Sequence, residues 1–97
     1  MATYVSLLKF TDQGLHNIKD TTKRAEAVRK AAAQAGVTIK EILWLQGQYD
    51  LVLISEAADE AAAMAVALTT AKAGNVTSQT LRAFTAAEMN RILEKVA

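Results

Sequence analysis

The 97-residue chain has no cysteine and no proline. Without cysteine there is no disulfide framework, no thiol nucleophile and no thiolate metal site. With no proline, low-complexity linker or charge block there is no internal boundary, so one domain spanning residues 1–97 is expected. Charge of one sign is lacking as well. Eleven basic residues against ten acidic ones leave +1, which is no field for nucleic acid or an anionic membrane. No apolar run approaches the roughly 18 residues of a spanning helix. The start, Met-Ala-Thr-Tyr-Val, has no basic leader. A soluble cytoplasmic protein is expected. Large apolar side chains are scarce too, because 20 of the 50 residues counted as hydrophobic are alanine. A chain this short buries only about two-thirds of its unfolded surface, so tight packing or a partner subunit must supplement the core.

What is present has a clear order. Thr3–Phe10 is rich in β-branched and aromatic residues and reads as a strand, broken by Thr11-Asp-Gln-Gly14. Leu15, Ile18, Ala25, Val28, Ala32 and Ala35 recur at helical spacing, with Lys19, Lys23, Glu26, Lys30 and Gln34 on the other side. Asp20-Thr-Thr22 can cap a helix start, so a short helical turn is expected before the main helix, which Gly36 ends. Thr38–Leu45 and Tyr49–Ser55 read as antiparallel strands joined across Gln46-Gly-Gln48. Asp59–Ala73 is an alanine-dominated helix stopped by Gly74-Asn75, and Val76–Phe84 is the last strand. Thr85-Ala-Ala-Glu88 is a capping box opening a terminal helix with Met89, Ile92, Leu93 and Val96 on one face.

The order β-α-β-β-α-β-α predicts an α+β fold: a ferredoxin-like βαββαβ sheet with both long helices on one face, plus a C-terminal helix. In Ile42-Leu-Trp-Leu45 and Leu51-Val-Leu-Ile54 both alternating sets are apolar, as in sheets covered on both sides. Two helices can cover one face, so an identical sheet is expected on the other. The simpler alternative, the C-terminal helix folding back over a monomer, offers four apolar residues and would cover only part of it. Alanines 61, 62, 63, 65, 67 and 71 suggest that the second helix lies close to its sheet.

At Gly47-Gln-Tyr49-Asp50 the chain resembles the GYD-domain family, small bacterial and archaeal proteins of the dimeric α/β-barrel type. The resemblance extends through Tyr4, Phe10-Thr-Asp-Gln-Gly14, Asn17-Ile-Lys-Asp20, Lys23-Arg24, Glu56-Ala57, Gly74-Asn75 and Thr80-Leu-Arg-Ala-Phe-Thr85. It implies a fold and a homo-oligomer rather than a reaction. Family members often carry Ser-Pro where this chain has Thr21-Thr22, which loosens the start of the main helix. A weaker resemblance of residues 38–84 is to the effector-sensing domain of leucine-responsive regulators, where small ligands bind between subunits near the equivalent hairpin. This chain lacks their DNA-binding helices.

Each candidate site residue has a plainer reading beside the functional one. Asp50 could hold a ligand ammonium, or act as a base in an apolar setting. Turn aspartates more often bond to backbone, and that reading is preferred. Arg82 could clamp a carboxylate or phosphate, but a salt bridge to Asp50 or Glu56 is the plainer role. Lys19, Lys23 and Arg24 could line a pocket mouth, though helix cations usually form a solvated face. His16, the one histidine, reads as a surface residue, and no metal site is expected. Tyr4, Phe10, Trp44 and Phe84 read as core or interface anchors, with Trp44 also able to wall a pocket. No dinucleotide fingerprint, P-loop or zinc-protease motif is present, and no cofactor is expected.

Three readings follow. The leading one is a homo-oligomeric small-molecule-binding module with its ligand between hairpin 46–50 and strand 76–84. Tyr49, Asp50, Arg82, Trp44, Lys19 and Arg24 are its candidate ligand-binding residues. The second is a small cofactor-free enzyme, an oxygenase or isomerase, in the same pocket, with catalytic residues that the sequence does not identify. The third is an assembly protein with no ligand.

Overall fold

The fold comes from a computed structural model that describes all of residues 1–97. Four strands, β1 (Ala2–Phe10), β2 (Val37–Trp44), β3 (Leu51–Ala57) and β4 (Val76–Ala83), form one antiparallel sheet in the order β2-β3-β1-β4. Between them run α1 (Asp12–His16), a 3₁₀ turn (Ile18–Asp20), α2 (Thr21–Gln34) and α3 (Glu60–Lys72), with α4 (Ala86–Leu93) at the end. This is the expected α+β, ferredoxin-like arrangement. No helix is long and apolar enough to cross a membrane.

Two-residue alternation divides the sheet into faces. Tyr4 and Leu8 of β1, Leu51 and Ser55 of β3, and Val37 and Ile39 of β2 are buried beneath α2 and α3. Strand β2 keeps its apolar side inward by a bulge. Ile39 pairs with Ser55 and Glu41 with Ile54, so Lys40 is the extra residue. The spacing 37, 39, 42 then places Ile42 with Val37 and Ile39 on the inner face, as the register demands.

The outer face is apolar and has no helix on it. Val5 pairs with Ile54 and Leu81, and Leu7 and Leu43 both pair with Val52, so these six side chains form one cross-strand patch. Leu43 is 51% exposed and Leu81 41%. The C-terminal helix does not close over it, since Met89 and Leu93 are themselves exposed. A radius of gyration of 14.6 Å exceeds the roughly 12.5 Å of a compact chain of this length.

The hairpin is longer than its three expected residues. Trp44 and Leu51 are the last registered pair, and Leu45 N–H donates to the Asp50 carbonyl at 2.8 Å. The strand therefore begins at Leu51 rather than Tyr49, because Asp50 is engaged elsewhere, as described below. Gly47 has φ +120°, a region in effect closed to side chains. Gly47→Val should lower stability by about 1–3 kcal/mol, measured by urea unfolding. An unchanged midpoint would mean that the loop relaxes to negative φ without loss.

Candidate functional site

Two of the sequence motifs hold each other. Thr11 N–H donates to the Asn75 carbonyl at 3.0 Å, and the Thr11 hydroxyl donates to the Gly74 carbonyl at 2.6 Å while accepting from Gly14 N–H at 3.1 Å. Gln13 Nε2 donates to the Ala73 carbonyl and to Asn75 Oδ1, each at 3.1 Å. The loop after β1 is thereby laced to the loop before β4. These residues position elements rather than present chemistry.

The Gly-x-Tyr-Asp hairpin is likewise a fastening. Asp50 Oδ2 accepts from Phe10 N–H at 2.8 Å, and Asp50 N–H donates to the Leu8 carbonyl at 2.8 Å. The carboxylate thus bonds to backbone, as preferred from sequence, but to the neighbouring strand rather than to its own turn. The Tyr49 hydroxyl donates to Gln79 Oε1 at 3.2 Å, and Lys9 Nζ lies 5.6 Å from its ring centroid. Gln79 pairs with Leu7, so Tyr49 stands on the outer face and ties the hairpin to β4.

Arg82 is not part of this group. It pairs with Tyr4, whereas Asp50 sits at the Leu8–Phe10 end of β1. Six strand residues separate the two levels, about 20 Å. The pairing of Arg82 with Asp50 or Glu56 expected from sequence is replaced by one with Glu88 at 3.7 Å, and Glu56 pairs with Lys40 at 3.2 Å. The Arg82 guanidinium also stacks 4.4 Å from the Phe84 ring centroid and donates to the Thr3 and Ala83 carbonyls. It fastens the start of α4 to the sheet.

Glu88 completes the capping box. Thr85 N–H donates to its Oε1 at 2.9 Å, and Glu88 N–H donates to Thr85 Oγ1 at 3.2 Å. The Thr85 backbone N–H foremost, with the Thr85 side chain, Arg82 and Arg91, holds the Glu88 carboxyl below its ordinary value, against desolvation. A depressed folded-state pKa stabilises above the unfolded value and loses that contribution as pH falls through the folded one. The start of α4 should therefore lose helicity as pH drops below 4.5, and Glu88→Gln should flatten that part of the circular-dichroism titration. Superimposable titrations would contradict it.

The concave feature lies on the inner face, beneath α2 and α3. It is a cavity of about 410 Å³ in which 15 of 20 lining residues are hydrophobic. Leu8, Phe10, Ile42, Leu51 and Leu53 form its floor, and Val28 and Val66 stand in its roof. Seven of the lining residues are alanines of α2, α3 and their caps. Ala62 and Ala63 of α3 pack against the core, whereas the lining alanines of α2 with Ala65 and Ala73 leave space between the layers. The alanine methyl groups on the helix side do not fill the space above the floor side chains. No large side chain in the chain is fully buried.

Of the six candidates from sequence, Arg24 alone lines this cavity. Its Nη1 donates to the Asn17 carbonyl at 2.6 Å and its Nη2 to that of Gly14 at 3.4 Å. Trp44 is beside the mouth, its Nε1 donating to Thr21 Oγ1 at 3.1 Å. Lys19 is exposed on the 3₁₀ turn and away from the cavity. Tyr49, Asp50 and Arg82 do not line it. Phe10, Val28 and Val66 do; Phe10 and Val28 read from sequence only as core positions, and Val66 was not singled out.

A second cavity of about 40 Å³, with room for a water or two, adjoins the first across Leu8, Val28, Leu53, Val66 and Thr70. Hydroxyl residues ring it: Tyr4, Ser6, Ser55, Thr70, Ser78 and Thr80. Tyr4 is only 9% exposed, and its hydroxyl is buried without a protein partner.

Sheet order and layering define a ferredoxin-like α+β protein. More particularly, the chain belongs to the GYD domain family, whose profile matches residues 4–93. Comparison with curated proteins and with solved structures found no match in either.

Proposed function

We propose that this GYD-domain chain is a homo-oligomeric module that binds a small apolar molecule between its helices and its sheet. The observation that carries the reading is the 410 Å³ cavity with its mainly apolar lining. Its size falls within the roughly 300–1,000 Å³ typical of ligand sites. This moves the ligand from the hairpin–β4 contact to the opposite face of the sheet. The Tyr49–Gln79 bond fills the contact between hairpin and strand, and the space is on the inner side.

Binding is favoured over cofactor-free catalysis by the lining itself. Arg24 is its one charged residue, and no carboxylate or imidazole faces the cavity to carry a proton near neutral pH. Assembly is a separate part of the reading. The outer apolar patch fits a second copy related by a twofold axis, sheet against sheet, as in the dimeric α/β-barrel arrangement. The inner cavity is then left free for ligand.

A neutral apolar dye, N-phenylnaphthylamine, tests the cavity. One dye per chain should bind saturably at micromolar concentration, with emission sensitised by Trp44, the single tryptophan. Ala25→Phe, which places a ring in the cavity, should abolish that signal while the protein stays folded. Non-saturable binding, or full binding by the Ala25→Phe protein, would overturn the reading.

A further inference from the structure

The polar groups at the mouth of the cavity are unbalanced, and the imbalance has a sign. Arg24 is the cavity's one charged lining residue, and none of the three ion pairs in the chain includes it. Two of its N–H groups reach backbone carbonyls. A guanidinium carries five such donors, so three remain. Thr21 lines the same end, and its oxygen already accepts from Trp44, which leaves the hydroxyl hydrogen to donate. Asn75 is there too, with Oδ1 accepting from Gln13 and its amide hydrogens free to donate. Three side chains thus have donors unused at this end of the cavity, while the Thr21 and Asn75 oxygens each already accept one bond and Arg24, which has no acceptor, carries the charge.

We infer, resting on the cavity reading above, that the ligand is an apolar monocarboxylic acid, with its carboxylate on Arg24 and its hydrocarbon body against Phe10, Val28 and Leu53. A carboxylate supplies acceptors only and matches the planar fork of arginine. An apolar body accounts for the rest of the lining. An ammonium-bearing ligand meets no acid here. A phosphate would demand more positive charge than one arginine provides.

The test compares acids with alcohols of the same skeleton, octanoate with octanol and phenylbutyrate with phenylbutanol, by titration calorimetry. Each acid should bind about tenfold or more tighter than its alcohol, as charge-assisted hydrogen bonds require. Arg24→Gln should reduce that ratio to near one, and Arg24→Lys should retain part of it. The wild-type ratio decides the matter even if Arg24→Gln fails to fold. Equal binding of acid and alcohol would overturn the carboxylate assignment and leave the apolar cavity standing. Absence of binding by all four compounds up to about 1 mM would overturn the cavity reading itself, and the assignment with it.

Discussion

Gly14→Ala should be among the most damaging single-methyl changes in this chain. A Cβ built at Gly14 falls 2.1 Å from the Asn75 carbonyl oxygen, a backbone atom with no rotamer to swing away. Either α1 or the loop before β4 must move. Movement of either would strain the Thr11 N–H bond to Asn75 and the Thr11 hydroxyl bond to Gly74. Overpacking of this severity costs about 3 kcal/mol. In a domain of about 100 residues that lowers the melting temperature by roughly 15 °C. A melting temperature within a degree or two of wild type would show that the two loops are not rigidly joined. Asn75 also lines the mouth of the cavity, so a destabilised variant that still folds should bind the neutral dye more weakly.

Ile54→Asp should separate the proposed dimer. Ile54 lies in the outer patch, paired with Val5 on one side and Glu41 on the other. A twofold interface would bury it once from each copy, so the charge is introduced twice. Burying an unpaired carboxylate against an apolar sheet costs several kcal/mol, and even about 4 kcal/mol in total weakens association roughly a thousandfold. Sedimentation equilibrium should give about 21 kDa for the unaltered protein, twice the chain's 10.4 kDa, and the chain mass for Ile54→Asp. A wild-type mass of one chain at tens of micromolar would contradict a stable sheet-to-sheet assembly.

The elements of the fold were legible because each carries local chemistry. Thr85 and Glu88 satisfy each other's backbone donors as the capping box requires, and the helices stop at Gly36 and Gly74 as expected. The apolar outer face was also readable, since Val52 and Ile54 interrupt the polar alternation of a half-covered strand. What depends on register was not. Asp50 and Arg82 looked like complementary charges, but β1 places them at opposite ends. The bulge at Lys40 decides which side of β2 faces inward, and an apolar spacing of 37, 39 and 42 was its only trace. The cavity was hidden for a different reason. Its volume depends on the separation of two layers, which periodicity does not encode. The same alanines could close a gap or leave one.

Mapping where a ligand binds tests the central claim most directly. With ¹⁵N-labelled protein and the neutral dye N-phenylnaphthylamine, the largest amide shifts should fall on Leu8, Val28, Leu53 and Val66, which line the inner cavity. Val5 and Leu81, at the far end of the outer patch, should stay unmoved. Shifts concentrated instead on Tyr49, Gln79 and Leu81 would put the ligand on the outer face and contradict the account.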